Sequence, residues 1–153
     1  MVLSLQDEIN GLVKLYQTGN LDESESKAKE LLNKFPNEVA ILNILGTIQD
    51  GKGQSENAIK TYRKALDINK NSPDTHFNMG LVFQRLGKHE EAKISYQHAI
   101  NLKADFANAY FNLGLVFQNL KDYKKAMENH SKASEIQPDF HEAIGAIGSI
   151  LQL

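Results

Sequence analysis

The side chains best suited to acid–base or metal chemistry in this chain of 153 residues are its five histidines: His76, His89, His98, His130 and His141. No two of them stand four residues apart, the spacing that places two imidazoles on one helix face for a zinc ion, and no His-Glu-x-x-His motif occurs. Cysteine is absent, which excludes disulfides, thiolate metal sites and cysteine nucleophiles. The glycines do not form a phosphate-binding loop. We therefore expect no catalytic residue, no metal site and no cofactor, and hence no enzyme activity.

Composition and charge restrict the class of partner. The net charge is −2, from 17 basic and 19 acidic residues. There is no basic block, so nucleic acid and anionic membranes are poor partners. The apolar runs are only a few residues long, too short for a membrane-spanning helix. The first eight residues lack a basic segment and become acidic early, unlike a signal peptide, so we expect a cytoplasmic protein.

The chain repeats itself every 34 residues. Residues 78–92 align with residues 112–126 at this shift with 8 of 15 identities, where composition alone gives about one. The same shift relates three further columns: Gly46, Gly80, Gly114 and Gly148; Ala58, Ala92 and Ala126; Ala65, Ala99 and Ala133. A third set, Tyr62, Tyr96 and His130, also occupies one column. The period predicts four repeats, 5–38, 39–72, 73–106 and 107–140, and a terminal helix at 141–153, all in one domain.

Each repeat has the pattern of two helices. In the third repeat, apolar residues recur every three or four positions up to Leu86, Gly87 ends the first helix, and a second begins near His89. Cap signals agree: a capping box at Ser4, Pro73 at a first helical position, and Asp122 or Asp139 before later helices. No segment alternates with period two. We predict nine helices in an all-α, right-handed α-solenoid of antiparallel hairpins, the column glycines facing the alanines 58, 92 and 126 across each hairpin.

These columns resemble those of the tetratricopeptide repeat family. The repeat 107–140 carries the family pattern at Tyr110, Leu113-Gly114, Phe117, Tyr123, Ala126, Ala133 and Pro138. Other repeats depart from it: Ala104 and Lys70 replace the usual proline, and Leu12 and Ser24 replace the column glycine and alanine of the first repeat. The resemblance covers essentially the whole chain. It implies a scaffold that binds proteins or peptides.

The concave side, lined by first helices, is the candidate binding groove. Asn78 and Asn112 form a ladder in which each amide offers both donors and an acceptor to an extended peptide backbone. Phe77 and Phe111 are expected to supply apolar pockets beside it, although solvated polar residues on an inner face would give the same pattern. Family members that clamp an acidic C-terminal tail use lysine and arginine at positions that are uncharged or acidic here. The predicted groove residues are Asn43, Phe77, Asn78, Leu81, Gln84, Arg85, Asn108, Phe111, Asn112 and Gln118.

Two functions fit this sequence. One is a scaffold that holds an extended segment of a partner protein in the groove. The alternative is a regulatory or substrate-presenting arm of a larger enzyme, for example a transferase, whose catalytic domain this chain lacks. The terminal helix adds a possible homodimer, because we expect an apolar edge there to self-associate. The predicted self-association residues are Ile144, Ile147, Ile150 and Leu151.

Overall fold

The computed structural model describes residues 3–152, and within them the chain forms nine α-helices and no β-strand. The helices are α1 (Leu5–Gln17), α2 (Leu21–Lys34), α3 (Val39–Gly51), α4 (Ser55–Ile68), α5 (Pro73–Arg85), α6 (His89–Leu102), α7 (Ala107–Asn119), α8 (Tyr123–Ile136) and α9 (His141–Ile150). The all-α, helical-repeat class predicted from the sequence is confirmed.

The helices keep the 34-residue period of the sequence. The odd-numbered helices begin at Leu5, Val39, Pro73, Ala107 and His141. The even-numbered helices begin at Leu21, Ser55, His89 and Tyr123. Within each set, neighbouring starts are 34 residues apart, so the first helix of every hairpin begins where a predicted repeat begins.

A left-handed residue follows the first helix of each of the four hairpins. Gly19, Gly53 and Gly87 hold this position with φ of 81°, 76° and 71°, and Lys121 holds it with φ of 61°. Glycine accepts this conformation because it has no Cβ to clash with the following carbonyl. The turn is therefore common to the four hairpins, and three of them carry the residue that fits it best.

Three of the predicted helix starts are confirmed. The Ser4 hydroxyl accepts from the Asp7 backbone N–H at 3.1 Å, and the Asp7 carboxylate accepts from the Ser4 N–H at 3.1 Å, which completes the capping box. Pro73 is the first residue of α5. Asp122 caps α8, because its carboxylate accepts from the backbone N–H of Lys125 at 3.2 Å.

The predicted cap at Asp139 is wrong. The residue that precedes α9 is Phe140, and no side chain caps this helix. Phe140 is buried against Ala107, Ala133 and Ala143. Burial of this ring fixes the start of α9 one residue later than the aspartate.

The chain comprises two compact units, Met1–Asn71 and Ser72–Leu153. In the first unit α1, α2 and α3 pack together, and α3 pairs with α4. The core of α1 to α3 consists of Leu12, Ala28, Leu31, Ile41, Leu45 and Ile48. In the second unit α5 pairs with α6 and α7 with α8, while α6 also packs on α7 and α8 on α9.

The column glycines lie against rings, which corrects one prediction from the sequence. A Cβ placed on Gly80 would stand 2.6 Å from Cε1 of Tyr96, closer than real Cβ atoms approach any atom. Gly46 and Gly114 meet the rings of Tyr62 and His130 in the same way, with nearest distances of 2.5 Å. These rings are fully buried rather than half-buried. The small residue opposite each glycine is therefore absent, and the missing side chain makes room for the aromatic ring of the second helix.

Candidate binding surface

The structure brings nine of the ten predicted groove residues onto two helices of the second unit. Helices α5 and α7 are in direct contact. Asn43 lies on α3, in the first unit. The α5–α7 face, as we call it, consists of Phe77, Asn78, Leu81, Gln84 and Arg85 on α5 and Asn108, Phe111, Asn112 and Gln118 on α7.

The two asparagines of the ladder are both half-buried. Asn112 Nδ2 donates to the backbone carbonyl of Asn108, four residues earlier, at 2.9 Å. This bond uses one of the two N–H groups of the amide, and it orients the side chain along its own helix. Asn78 occupies the equivalent position one repeat earlier. Two amides at matching positions of adjacent helices offer donors and acceptors to the same face.

Phe77 and Phe111 do not form open pockets, and this prediction was wrong. The Phe77 ring centroid lies 5.7 Å from that of Tyr96 and 4.8 Å from that of Phe106. Each ring fills the space between a second-helix ring and the phenylalanine that precedes the next first helix, so only part of each ring is exposed. Phe111 makes the equivalent contacts one repeat later, at 5.4 Å from His130 and 5.0 Å from Phe140.

Sequence reasoning missed Phe106 and Phe140 as members of this arrangement. They stand 34 residues apart, so the repeat contained a usable signal. Ring pairs at these distances and with tilted planes are stabilising beyond the area they bury, by about 0.5–1.5 kcal/mol each. The aromatic contacts hold Phe77 and Phe111 rigid beside the asparagines.

Gln84 and Gln118 serve the interior of their hairpins as well as the surface. The Gln84 side-chain oxygen accepts from the Tyr96 hydroxyl at 2.7 Å. Gln118 takes the same position one repeat later, and its oxygen lies 2.9 Å from Nε2 of His130. The predicted role of these oxygens in gripping a peptide is therefore wrong, since both already bond to a buried ring.

The fully buried His130 is neutral in this setting. Because an amide oxygen only accepts, Nε2 carries the proton, and Nδ1 is left buried without a partner among the described residues. A second proton would have no acceptor there. Burial accordingly lowers the pKa of His130 below its ordinary value.

The charge of the α5–α7 face is balanced. Asp74 opens α5 and Arg85 ends it, and both are exposed. Helix α7 carries no acidic residue in its first turn and no basic residue in its last. A face with one acid and one base at opposite ends of α5 has no net attraction for a strongly charged ligand.

The predicted self-association residues differ in exposure. Leu151 is 70% exposed and Ile144 is 48% exposed, while Ile147 is half-buried. Ile150 is only 7% exposed, so its assignment to a self-association surface is wrong. Its side chain belongs to the part of α9 that turns toward the rest of the unit, where helix rotation places it.

Two further kinds of site were searched for over residues 3–152. No group of three or more histidine, cysteine, aspartate or glutamate side chains in that range is placed to hold a metal ion. Over the same range, every helix falls short of the length and apolarity needed to cross a membrane.

Paired helices at a 34-residue period, a glycine against a buried ring and a left-handed turn together define a class of helical-repeat protein. The family model described as TPR repeat matches residues 52–87 and 85–121, and the one described as tetratricopeptide repeat matches residues 107–140. These matches span more than half of the chain. The chain belongs to the tetratricopeptide repeat family, and the resemblance drawn from the sequence is confirmed.

Curated relatives match only short stretches. Photosystem I assembly protein Ycf3 of Parasynechococcus marenigrum (strain WH8102) is 46% identical over 44 residues, 29% of this chain and 25% of that protein. The protein of the same name from Synechococcus sp. (strain CC9605) is 35% identical over 63 residues, 41% of this chain and 36% of that protein. The chain thus spans between a quarter and two fifths of the curated relatives it matches.

Solved structures match over longer stretches. MamA superimposes with a TM-score of 0.83 at 26% identity and covers 99% of this chain and 85% of its own. PilF of Pseudomonas aeruginosa has a TM-score of 0.89 at 20% identity, over 95% of this chain and 66% of its own. The first repeat domain of Spaghetti (RPAP3), solved with the HSP90 peptide SRMEEVD, has a TM-score of 0.72 at 24% identity, over 74% and 90%. The last two likenesses show the fold.

Proposed function

We propose that the chain is a protein-interaction module whose α5–α7 face binds an extended, uncharged segment of a partner protein. The observation that carries the proposal is the pair Asn78 and Asn112, half-buried at equivalent positions of two helices in contact. An extended peptide has unpaired backbone N–H and C=O groups, and a side-chain amide bonds to either. Recognition of this kind is largely independent of the peptide's side chains.

Phe77 and Phe111 supply the apolar part of the site. Each is fixed by two neighbouring rings, so binding does not require that these side chains become ordered. Preorganised groups cost less entropy on association than mobile ones. The exposed part of each ring contacts apolar side chains of the peptide at a spacing of one repeat.

The charge balance supports an uncharged ligand. The peptide in the RPAP3 domain structure, SRMEEVD, ends in three acidic residues out of four. In this chain Asp74 and Asn78 stand on the exposed side of α5, where that kind of peptide would require cations. We therefore expect this protein to select peptides rich in small polar and apolar residues and to bind SRMEEVD at least tenfold more weakly.

The test starts from a peptide selected against the chain from a random library, with affinity measured by fluorescence anisotropy. The double variant Asn78→Ala and Asn112→Ala removes two or more hydrogen bonds of about 1 kcal/mol each. We expect Kd to rise about 30-fold. The matched control is Asn101→Ala with Asn129→Ala, since both lie on second helices and Asn129 makes the same bond to its own helix, at 2.8 Å to Lys125.

The control variant should bind like the parent, and both variants should melt within about 2 °C of it, because exposed or half-buried substitutions change stability little. Equal affinity of parent and Asn78/Asn112 variant would refute the role of the ladder. An equal loss in both variants would show that the effect is not local to the α5–α7 face.

A further inference from the structure

One face of α9 is apolar and uncovered in the part of the chain that the structure describes. Ile144, Gly148 and Leu151 are spaced four and three residues apart, so they lie on one side of the helix. Ile144 and Leu151 are among the exposed large apolar side chains. A Cβ built on Gly148 meets no atom within 4 Å. We call these three residues the α9 face.

The equivalent face is covered in each preceding hairpin. On α3 the matching residues are Leu42, Gly46 and Gln49, and all three are buried. On α5 the glycine and the residue in the position of Leu151, Gly80 and Phe83, are buried as well. In each case the cover is the second helix of the same hairpin, whose ring stands at the glycine.

The three covering helices carry the same pattern at their centres. A ring follows a small residue by four positions and precedes another by three: Ala58, Tyr62 and Ala65 in α4; Ala92, Tyr96 and Ala99 in α6; Ala126, His130 and Ala133 in α8. These nine side chains are at most 1% exposed. The two alanines let the helices approach closely, and the ring fills the gap left by the glycine.

The geometry points to a second interaction surface: the α9 face docks an amphipathic helix of a partner protein that carries an aromatic ring between two small residues at this spacing. The α9 face reproduces the glycine and the flanking apolar residues of an interface that this chain builds three times. The chemistry of the missing side of that interface is therefore specified by α4, α6 and α8.

A second copy of the chain is a poorer occupant. The exposed residues of α9 include no aromatic side chain, since Phe140 is buried. The three helices that carry the required pattern are already packed in their own hairpins, with their rings fully buried. The docked helix is thus supplied by another protein, and this surface is separate from the α5–α7 face.

The experiment uses a synthetic peptide with the sequence of residues 89–102, because α6 contains the pattern with tyrosine. Isolated helices of this length are marginal in water, so the peptide is cross-linked between the positions of Glu90 and Ile94. Both side chains are exposed in α6, so the link leaves the packing side of the peptide untouched. Binding of the labelled peptide to the full chain is followed by fluorescence anisotropy.

We expect saturable binding that falls at least tenfold when the chain carries Gly148→Leu, because the leucine occupies the space of the ring. It should fall similarly when the peptide carries Tyr96→Ala. The control is Gly11→Leu on α1, a helical glycine that also has nothing within 4 Å of an added Cβ. This control chain should bind the peptide like the parent.

Absence of binding at millimolar peptide overturns the proposal, and so does binding that Gly148→Leu leaves unchanged. Sedimentation velocity over a hundredfold concentration range adds a further check. A dimer that Gly148→Leu dissociates and the peptide does not compete with would assign the α9 face to a second copy instead. Failure of this proposal leaves the α5–α7 face untouched, because that face is tested by different variants and a different ligand.

Discussion

Replacement of Gly80 by alanine adds one methyl group at the tightest contact between α5 and α6. The new Cβ would stand 2.6 Å from Cε1 and 2.8 Å from Cδ1 of Tyr96, whereas carbon atoms in contact are about 3.5–4.0 Å apart. The ring must therefore move by about 1 Å. It is fully buried, its hydroxyl bonds to Gln84 and its face packs on Phe77, so the movement disturbs several contacts at once.

The magnitude follows from three contributions. Overpacking of a buried site costs about 1–3 kcal/mol. Loss of the Tyr96–Gln84 hydrogen bond adds about 1 kcal/mol. Alanine in place of glycine inside a helix offsets this by about 0.5–1 kcal/mol. We expect a net loss of about 2 kcal/mol in the free energy of unfolding, which lowers Tm by about 4–8 °C for a chain of this length.

Gly148 offers a matched comparison, because it occupies the same repeat column on α9 with nothing within 4 Å of an added Cβ. Gly148→Ala keeps only the helix-propensity gain, so it should stabilise the protein by about 0.5–1 kcal/mol. Urea denaturation followed by circular dichroism at the helical band compares both variants with the parent. The packing argument fails if the two substitutions shift the midpoint equally, or if Gly80→Ala leaves it unchanged.

Two other substitutions test the hairpin α7–α8. Burial lowers the pKa of His130 below 6.5, so the unfolded state binds the proton more readily and the free energy of unfolding should fall as the pH drops from about 7 to 5. His130→Tyr, which restores the residue of Tyr62 and Tyr96, should flatten that part of a pH series of urea titrations. Lys121→Gly should raise the free energy of unfolding by about 1 kcal/mol, seen as a higher urea midpoint, because Lys121 holds a φ of 61°.

The controls are internal to the chain. The other four histidines titrate in parent and His130→Tyr alike, so a difference between the two pH profiles belongs to His130, and identical profiles would contradict its assignment. Lys124→Gly places glycine inside α8, where it should destabilise by about 1 kcal/mol. If Lys121→Gly destabilises as well, the left-handed turn does not explain the effect.

The sequence alone determined the helices, their period and their turns. These depend on signals that are local in the chain: a capping box at Ser4, a proline at the start of α5 and glycine after first helices. Such preferences act within a few residues and do not depend on distant packing. The identity of the repeat family followed from the same spacing, and the family models agree with it.

The tertiary structure decided which side chain meets which. Periodicity places Gly80 on the face toward α6, but not whether Ala92 or Tyr96 stands opposite, because that depends on the depth and rotation of two packed helices. For the same reason Gln84 reaches the Tyr96 hydroxyl instead of a ligand, and Ile150 is buried while Leu151 is exposed. A one-residue step along a helix turns a side chain by about 100°, so neighbours in the sequence end in different surroundings that only the packed structure determines.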